Sequence, residues 1–153
     1  MTVATASVII AAASVVAASI FYSFQIGNQS RVRKADLVMR LYATFDSLDF
    51  QEAFHRVYWA DFHDYDSLVE ILGGRHVGTY LFTFFDQVGV LLRRGLIDLG
   101  LIDALLGNSA RQLWEKVIPV IEEARTRSGD PRLYEHFEYL IGELTRARSQ
   151  PQS

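Results

Sequence analysis

The sequence predicts an all-α fold, with a single N-terminal transmembrane helix followed by a cytoplasmic antiparallel helical bundle of about five to six helices. Residues 3–26 form a run without a charged side chain, which is typical of a membrane span. Beyond residue 35, apolar residues recur at steps of three and four, which is the spacing of one helix face. No segment shows the alternation of a strand.

The chain is expected to have three parts: an anchor over residues 1–30, a bundle over 31–148 and a disordered tail over 149–153. As a helix, residues 3–26 would reach about 36 Å, enough for a hydrocarbon layer of roughly 30 Å. A secretion signal and a buried core helix are the alternatives. A secretion signal usually begins with basic residues, and this chain has none there. A buried core helix is rarely uncharged on every face.

A basic cuff follows the uncharged run. Arg31, Arg33 and Lys34 come before the first acidic residue, Asp36. The positive-inside rule therefore predicts an N-terminus outside the cell membrane and a body in the cytoplasm. Membrane lipid is the expected partner of residues 3–26, and anionic headgroups are the expected partner of the cuff.

Small residues lie along one face of the predicted span, at Ser7, Ala11, Ser14 and Ala18. Such a stripe lets two membrane helices approach closely, so it predicts helix packing. Alanine and serine that merely fill the segment would give the same pattern. Both interpretations stay open.

The body is acidic and free of cysteine. From Ala35 onward 12 basic residues stand against 18 acidic ones. This balance argues against nonspecific nucleic-acid binding, which depends on Lys and Arg facing phosphates. With no cysteine in the chain, disulfides and thiolate chemistry are excluded.

Caps and glycines divide the body into helices. Asp49 with Glu52 predicts the start of the second helix, and Asp64 or Asp66 predicts the start of the third. The predicted helices cover residues 35–46, 50–59, a short segment ending at Leu72, 75–94, a segment from Asp98 to Gly107, a segment from Ser109 to Gly129, and a last one beginning at Asp130 and Pro131.

The densest polar cluster is Asp61, His63, Asp64 and Asp66. Carboxylates with one imidazole could bind a divalent cation, with His55 nearby, as a metal-dependent enzyme requires. The spacing matches neither an EF-hand nor an HExxH pair, and helix capping explains the same residues. No metal and no cofactor is therefore expected.

Asp86 lies beside phenylalanines on the most apolar predicted helix. It could be a general base, but pairing with Arg56, Arg111 or Arg132 is the favoured interpretation. No catalytic residue is predicted.

Four aromatic residues, Tyr58, Trp59, Phe62 and Tyr65, follow one another closely. They could form a surface for a protein partner, or they could simply pack in the core.

The motifs FFDQVGVLLRRGLID, LWEKVIPVIEEAR and DPRLYEHFEYLIGEL, with the neutral span and the cuff, resemble prokaryotic single-pass membrane proteins of the domain of unknown function 4760 family. The resemblance covers nearly the whole chain, although Glu is more usual than Asp86 at that position. It implies a membrane-tethered helical domain and no assigned reaction, so it supplies no catalytic residue.

The expected function is a membrane-anchored helical interaction or scaffold module rather than an enzyme. It would act as an accessory subunit of a membrane complex, or associate with another copy of itself. The alternatives are a membrane-tethered metal-dependent enzyme that uses the Asp61–Asp66 turn and a sensor that binds a small ligand within the bundle.

Overall fold

The computed structural model describes Tyr22, Gln25 and residues 31–149, without the side chains of residues 75–79. This described part contains helices and turns and no strand, so the all-α prediction is confirmed. The chain forms two compact units, Met1–Asp36 and Leu37–Ser153. The elements are α1 (residues 31–45), α2 (Leu48–Trp59), α3 (Tyr65–Ile71), α4 (Arg75–Arg93), α5 (Leu99–Ile102), a π-helical segment (Asp103–Gly107), α6 (Asn108–Ser128) and α7 (Glu135–Ser149).

The predicted span over residues 3–26 lies outside the described residues, apart from Tyr22 and Gln25, which are helical. Within the described part of the chain, no helix is both long and apolar enough to cross a membrane. Of the predicted tail, only Ser149 is described, and it is the last residue of α7.

Aromatic rings in mutual contact, some edge-on and some stacked, dominate the core of the second unit. Phe50 packs edge-on against Phe84 with ring centroids 4.8 Å apart, and Phe137 lies between Phe85 at 5.0 Å and Trp114 at 4.9 Å. Among the described side chains, no polar or charged one is buried. Four of the helices, α2, α4, α6 and α7, therefore meet in a purely apolar centre.

The predicted limits of α4 are confirmed. Gly73 and Gly74 have positive φ values before the helix, and Gly95 has a φ of 67° directly after it. Glycine adopts this conformation without the steric cost that a Cβ imposes. The glycines therefore account for both ends of α4.

The predicted cap of α2 is wrong. The helix begins at Leu48, with Ser47 as the N-cap in extended backbone, and Asp49 lies in the first turn. The Ser47 hydroxyl donates a hydrogen bond of 2.7 Å to the carbonyl of Thr44. Because the chain already turns at Ser47, Asp49 comes too late to cap the helix.

The predicted break at Gly107 is also wrong. Asp98 caps α5 as expected, since its Oδ1 accepts from the N–H of Leu101 at 2.9 Å. The helix then continues through the π-helical segment into α6, because Gly107 keeps helical dihedrals. Arg111 donates to Asp103 at 2.9 Å and so bridges this wide turn.

The last helix begins at Glu135, five residues after the predicted cap Asp130. Asp130 closes a turn by accepting from the N–H of Arg132 at 2.9 Å, so it is not the N-cap. Residues 131–134 form turns, and Tyr134 has a positive φ of 59°. An aromatic residue in this conformation cannot offer a capping oxygen, so the cap of α7 has to come from elsewhere.

Asp86 of α4 supplies that cap. Its Oδ1 accepts from the N–H groups of His136 and Phe137 at 3.0 and 3.1 Å. Its other oxygen lies 3.8 Å from Nδ1 of His136. The predicted pairing of Asp86 with arginine is therefore wrong, and the carboxylate instead satisfies the free first-turn donors of α7.

Candidate interaction surface

The outer face of α2 carries two exposed apolar side chains. Leu48 is 72% exposed and Trp59 is 78% exposed, at opposite ends of the helix. Glu52 and His55 lie between them and are also exposed. These four positions follow steps of four, three and four, so they lie on one face of the helix. The opposite face is buried in the core through Phe50, Ala53, Phe54 and Val57.

A shallow, open depression of about 410 Å³ lies beside Trp59, where the end of α2 meets α6. The residues that line it are Tyr58, Trp59, Gln112, Glu115 and Lys116. Lys116 donates a hydrogen bond of 2.6 Å to the backbone carbonyl of Tyr58, which is one of the free carbonyls at the end of α2. The ammonium group also lies 5.5 Å from the ring centre of Phe62.

The sequence leaves open whether four aromatic residues pack in the core or form a surface. The structure gives different answers for different members of the group. Tyr58, Phe62 and Tyr65 are half-buried and pack against the core. Trp59 is largely exposed. Core packing therefore explains the first three, and the surface interpretation applies to Trp59.

The Asp61–Asp66 turn is built by a capping box. Asp64 is the N-cap of α3, and its Oδ1 accepts from the N–H of Ser67 at 2.8 Å. The Ser67 hydroxyl in turn accepts from the N–H of Asp64 at 3.2 Å. The predicted cap is confirmed for Asp64. Asp61 and His63 are exposed in the same turn.

Asp66 is engaged by Arg127 of α6. Arg127 donates to both carboxylate oxygens of Asp66, at 2.8 and 3.0 Å, and also pairs with Glu123 at 2.5 Å. The hydrogen bonds to Asp66 raise the pKa of Arg127 above its ordinary value. In the part of the chain that the structure describes, no group of three or more His, Asp or Glu side chains is placed to hold a metal ion.

A pH dependence follows from the Asp64 cap. The hydrogen bond from the Ser67 backbone lowers the pKa of Asp64 below its ordinary value of 3.8. A carboxyl group whose pKa is lower in the folded chain stabilises the fold above the unfolded value and stops doing so as the pH falls through the folded value. We expect the gap in melting temperature between the native chain and Asp64→Ala to be constant from pH 5 to 7 and to close below about pH 4. A gap that persists unchanged at pH 2 would contradict this cap.

Two of the three cuff residues are exposed. Arg31 and Arg33 are exposed and Lys34 is half-buried, all within helical residues. The small-residue stripe, Ser7, Ala11, Ser14 and Ala18, lies outside the described residues. Its role in helix packing stays a prediction.

The face of α2 is the feature that the sequence interpretation missed. The steps from Leu48 through Glu52 and His55 to Trp59 are visible in the sequence. They do not indicate one surface there, because the predicted helix begins after Leu48. Once the helix begins at Leu48, the two apolar ends fall on one face.

The fold and this surface define an all-helical domain with an aromatic core and an exposed, mixed apolar and charged face on α2. The chain belongs to the family described as Domain of unknown function (DUF4760), whose model matches residues 1–144. Membership of this family, which the motifs predict, is therefore confirmed. No curated protein and no solved structure matches the chain significantly.

Proposed function

We propose that the protein is a membrane-anchored helical interaction module. Residues 3–26 hold it in the cell membrane, and the helical body meets its protein partner on the cytoplasmic side. The observation that carries the proposal is the uncharged segment followed directly by Arg31, Arg33 and Lys34. The exposed side chains of Arg31 and Arg33 support it, because exposed guanidinium groups are suited to anionic headgroups.

The exposed face of α2 supports the interaction part of the proposal. A tryptophan that is 78% exposed leaves a large apolar area in water, and tryptophan is enriched at the centres of protein interfaces. Confinement to a membrane raises the effective concentration of partners, so even a small contact face is sufficient. The metal-dependent alternative gains no support, because Ser67 and Arg127 already engage Asp64 and Asp66.

Replacing Val15 by lysine tests the anchor. A lysine at the middle of a span disfavours insertion by about 3 kcal/mol. We expect the native chain to stay with membranes after alkaline carbonate washing, and Val15→Lys to shift mainly to the supernatant. Immunoblotting of the two fractions measures the distribution.

Asn28→Lys is the matched control, because it adds the same charge between the predicted span over residues 3–26 and the cuff. It should fractionate as the native chain does. A native chain found in the carbonate supernatant, or recovered from culture medium after cleavage near Ser19, would contradict the anchor.

A further inference from the structure

We infer that α2 is the contact face of a homodimer, in which it packs antiparallel against α2 of a second copy. The inference rests on the proposed role as an interaction module and names both its surface and its partner. Leu48, Glu52, His55 and Trp59 form a stripe along the exposed face. A helix of 12 residues presents this stripe over a length of about 18 Å.

The stripe is self-complementary under a two-fold rotation. An interface between identical copies needs each contact to occur twice, with the two residues exchanged. Leu48 lies as far before the midpoint of α2 as Trp59 lies after it, and Glu52 and His55 are related in the same way. Antiparallel packing therefore places Leu48 against Trp59 and Glu52 against His55, each pair twice.

Charge along the flank of the stripe favours the same arrangement. Asp49 and Arg56 are exposed on one flank, and seven residues separate them by about 10 Å along the helix. This distance is too long for pairing within one chain. Antiparallel packing brings Asp49 beside Arg56 of the second copy, whereas parallel packing about a two-fold axis would place the two charged flanks on opposite sides of the interface. The charge pattern thus fits a second copy in one orientation.

Leu48 of one copy also lies opposite the depression beside Trp59 of the other copy. Leu48 is an exposed aliphatic side chain at one end of the stripe, and the depression of about 410 Å³ lies at the other end. The two-fold rotation brings Leu48 of each copy to Trp59 and the mouth of the depression of the other. Each copy offers both the side chain and the hollow.

The size of the face sets the conditions for a test. A stable interface buries roughly 800 Å² per partner, and one short helix face offers less. The dimer is therefore weak in dilute solution and forms when copies are confined to one bilayer.

The test uses the full chain in phosphatidylcholine vesicles, with dimer measured by energy transfer between dyes on a cysteine introduced at Ser149. The native chain has no cysteine, so labelling is specific.

The first test exchanges the flank charges. Asp49→Arg and Arg56→Asp each create two like-charge contacts, and each is expected to lower the dimer association constant about tenfold. The double variant restores both pairs across the interface, so it should recover to within about threefold of the native value. Single variants that dimerise like the native chain, or a double variant as weak as the singles, would overturn the antiparallel α2 contact.

The second test removes the apolar ends. Trp59→Ala is expected to weaken the dimer at least about tenfold, and Leu48→Ala about fivefold. Leu96→Ala is the matched control, since Leu96 is an exposed leucine outside α2 and its loss should change nothing. Circular dichroism confirms that each variant is folded. A dimer that survives Trp59→Ala but is lost with Ser14→Ile would assign association to residues 3–26 and overturn the inference.

The readouts separate this inference from the proposed anchor. If the chain stays with membranes and no α2 variant changes the dimer association constant, the anchor is kept and the α2 contact is refuted. A chain that is released by carbonate, while its dimer follows the α2 variants, refutes the anchor and keeps the contact. Vesicles that hold only monomer at high surface density refute the α2 contact directly.

Discussion

Gly89→Ala is expected to destabilise the body by about 3 kcal/mol, because it forces two helix backbones apart. A Cβ at Gly89 of α4 would overlap the backbone carbonyl of His136 in α7. A flexible side chain could move aside, but a helical carbonyl cannot move without its whole turn. We expect a lower midpoint of urea unfolding, followed by far-ultraviolet circular dichroism.

Gly142→Ala is the matched control for this substitution. A Cβ at Gly142 of α7 would meet only the end of Arg146, at 3.5 Å, an ordinary contact distance. Alanine is favoured over glycine within a helix, so this variant should gain about 0.5–1 kcal/mol. If the two variants unfolded at the same urea concentration, the close approach of α4 and α7 would be wrong.

Asp86→Ala is expected to cost about 2 kcal/mol by removing the cap of α7. The carboxylate is 25% exposed and accepts from two backbone N–H groups, which would lose their partner at the edge of the core. Chemical denaturation of the two proteins measures the difference. Hydrogen exchange should also quicken at His136 and Phe137 before it changes elsewhere.

Asp86→Asn separates the cap from the charge. The amide keeps an acceptor oxygen in place and loses the attraction of a carboxylate to the positive end of the helix, so the loss should be about 1 kcal/mol or less. Equal stability of Asp86→Ala and the native chain would show that the cap does not hold α7. A larger loss for Asn than for Ala would contradict the hydrogen-bond assignment.

Features encoded by neighbouring residues were predictable from the sequence. The limits of α4 follow from glycines at both ends, and the cap of α3 follows from Asp64 three residues before Ser67. The all-α class follows from apolar spacing. Each of these signals is complete within a few residues, and in these elements the tertiary contacts agree with it.

Features that depend on distant residues were not predictable. Asp86 and Phe137 are 51 positions apart, and nothing near Asp86 indicates that α7 lacks a cap of its own. The start of α7 was placed at Asp130 because Asp-Pro is a common helix start, but Asp130 closes a turn here instead. Gly107 resembled a stop signal, although the π-helical segment carries the chain through it.

The candidate surface was half predictable. The sequence groups Trp59 with three neighbouring aromatics and leaves the group between core and surface, and burial then separates Trp59 from Tyr58, Phe62 and Tyr65. Leu48 escaped notice because Ser47, rather than Asp49, starts α2. Because the predicted start of α2 is two residues late, the predicted helix leaves out Leu48 and so one end of the exposed face.

Labelling of single cysteines in intact cells tests the anchored orientation most directly. The native chain has no cysteine, so Thr2→Cys and Ser149→Cys each give one reactive thiol for a membrane-impermeant maleimide. The account predicts that Thr2→Cys is labelled in intact cells and that Ser149→Cys is labelled only after permeabilisation. Labelling of Ser149→Cys in intact cells, or of Thr2→Cys only after permeabilisation, would contradict it.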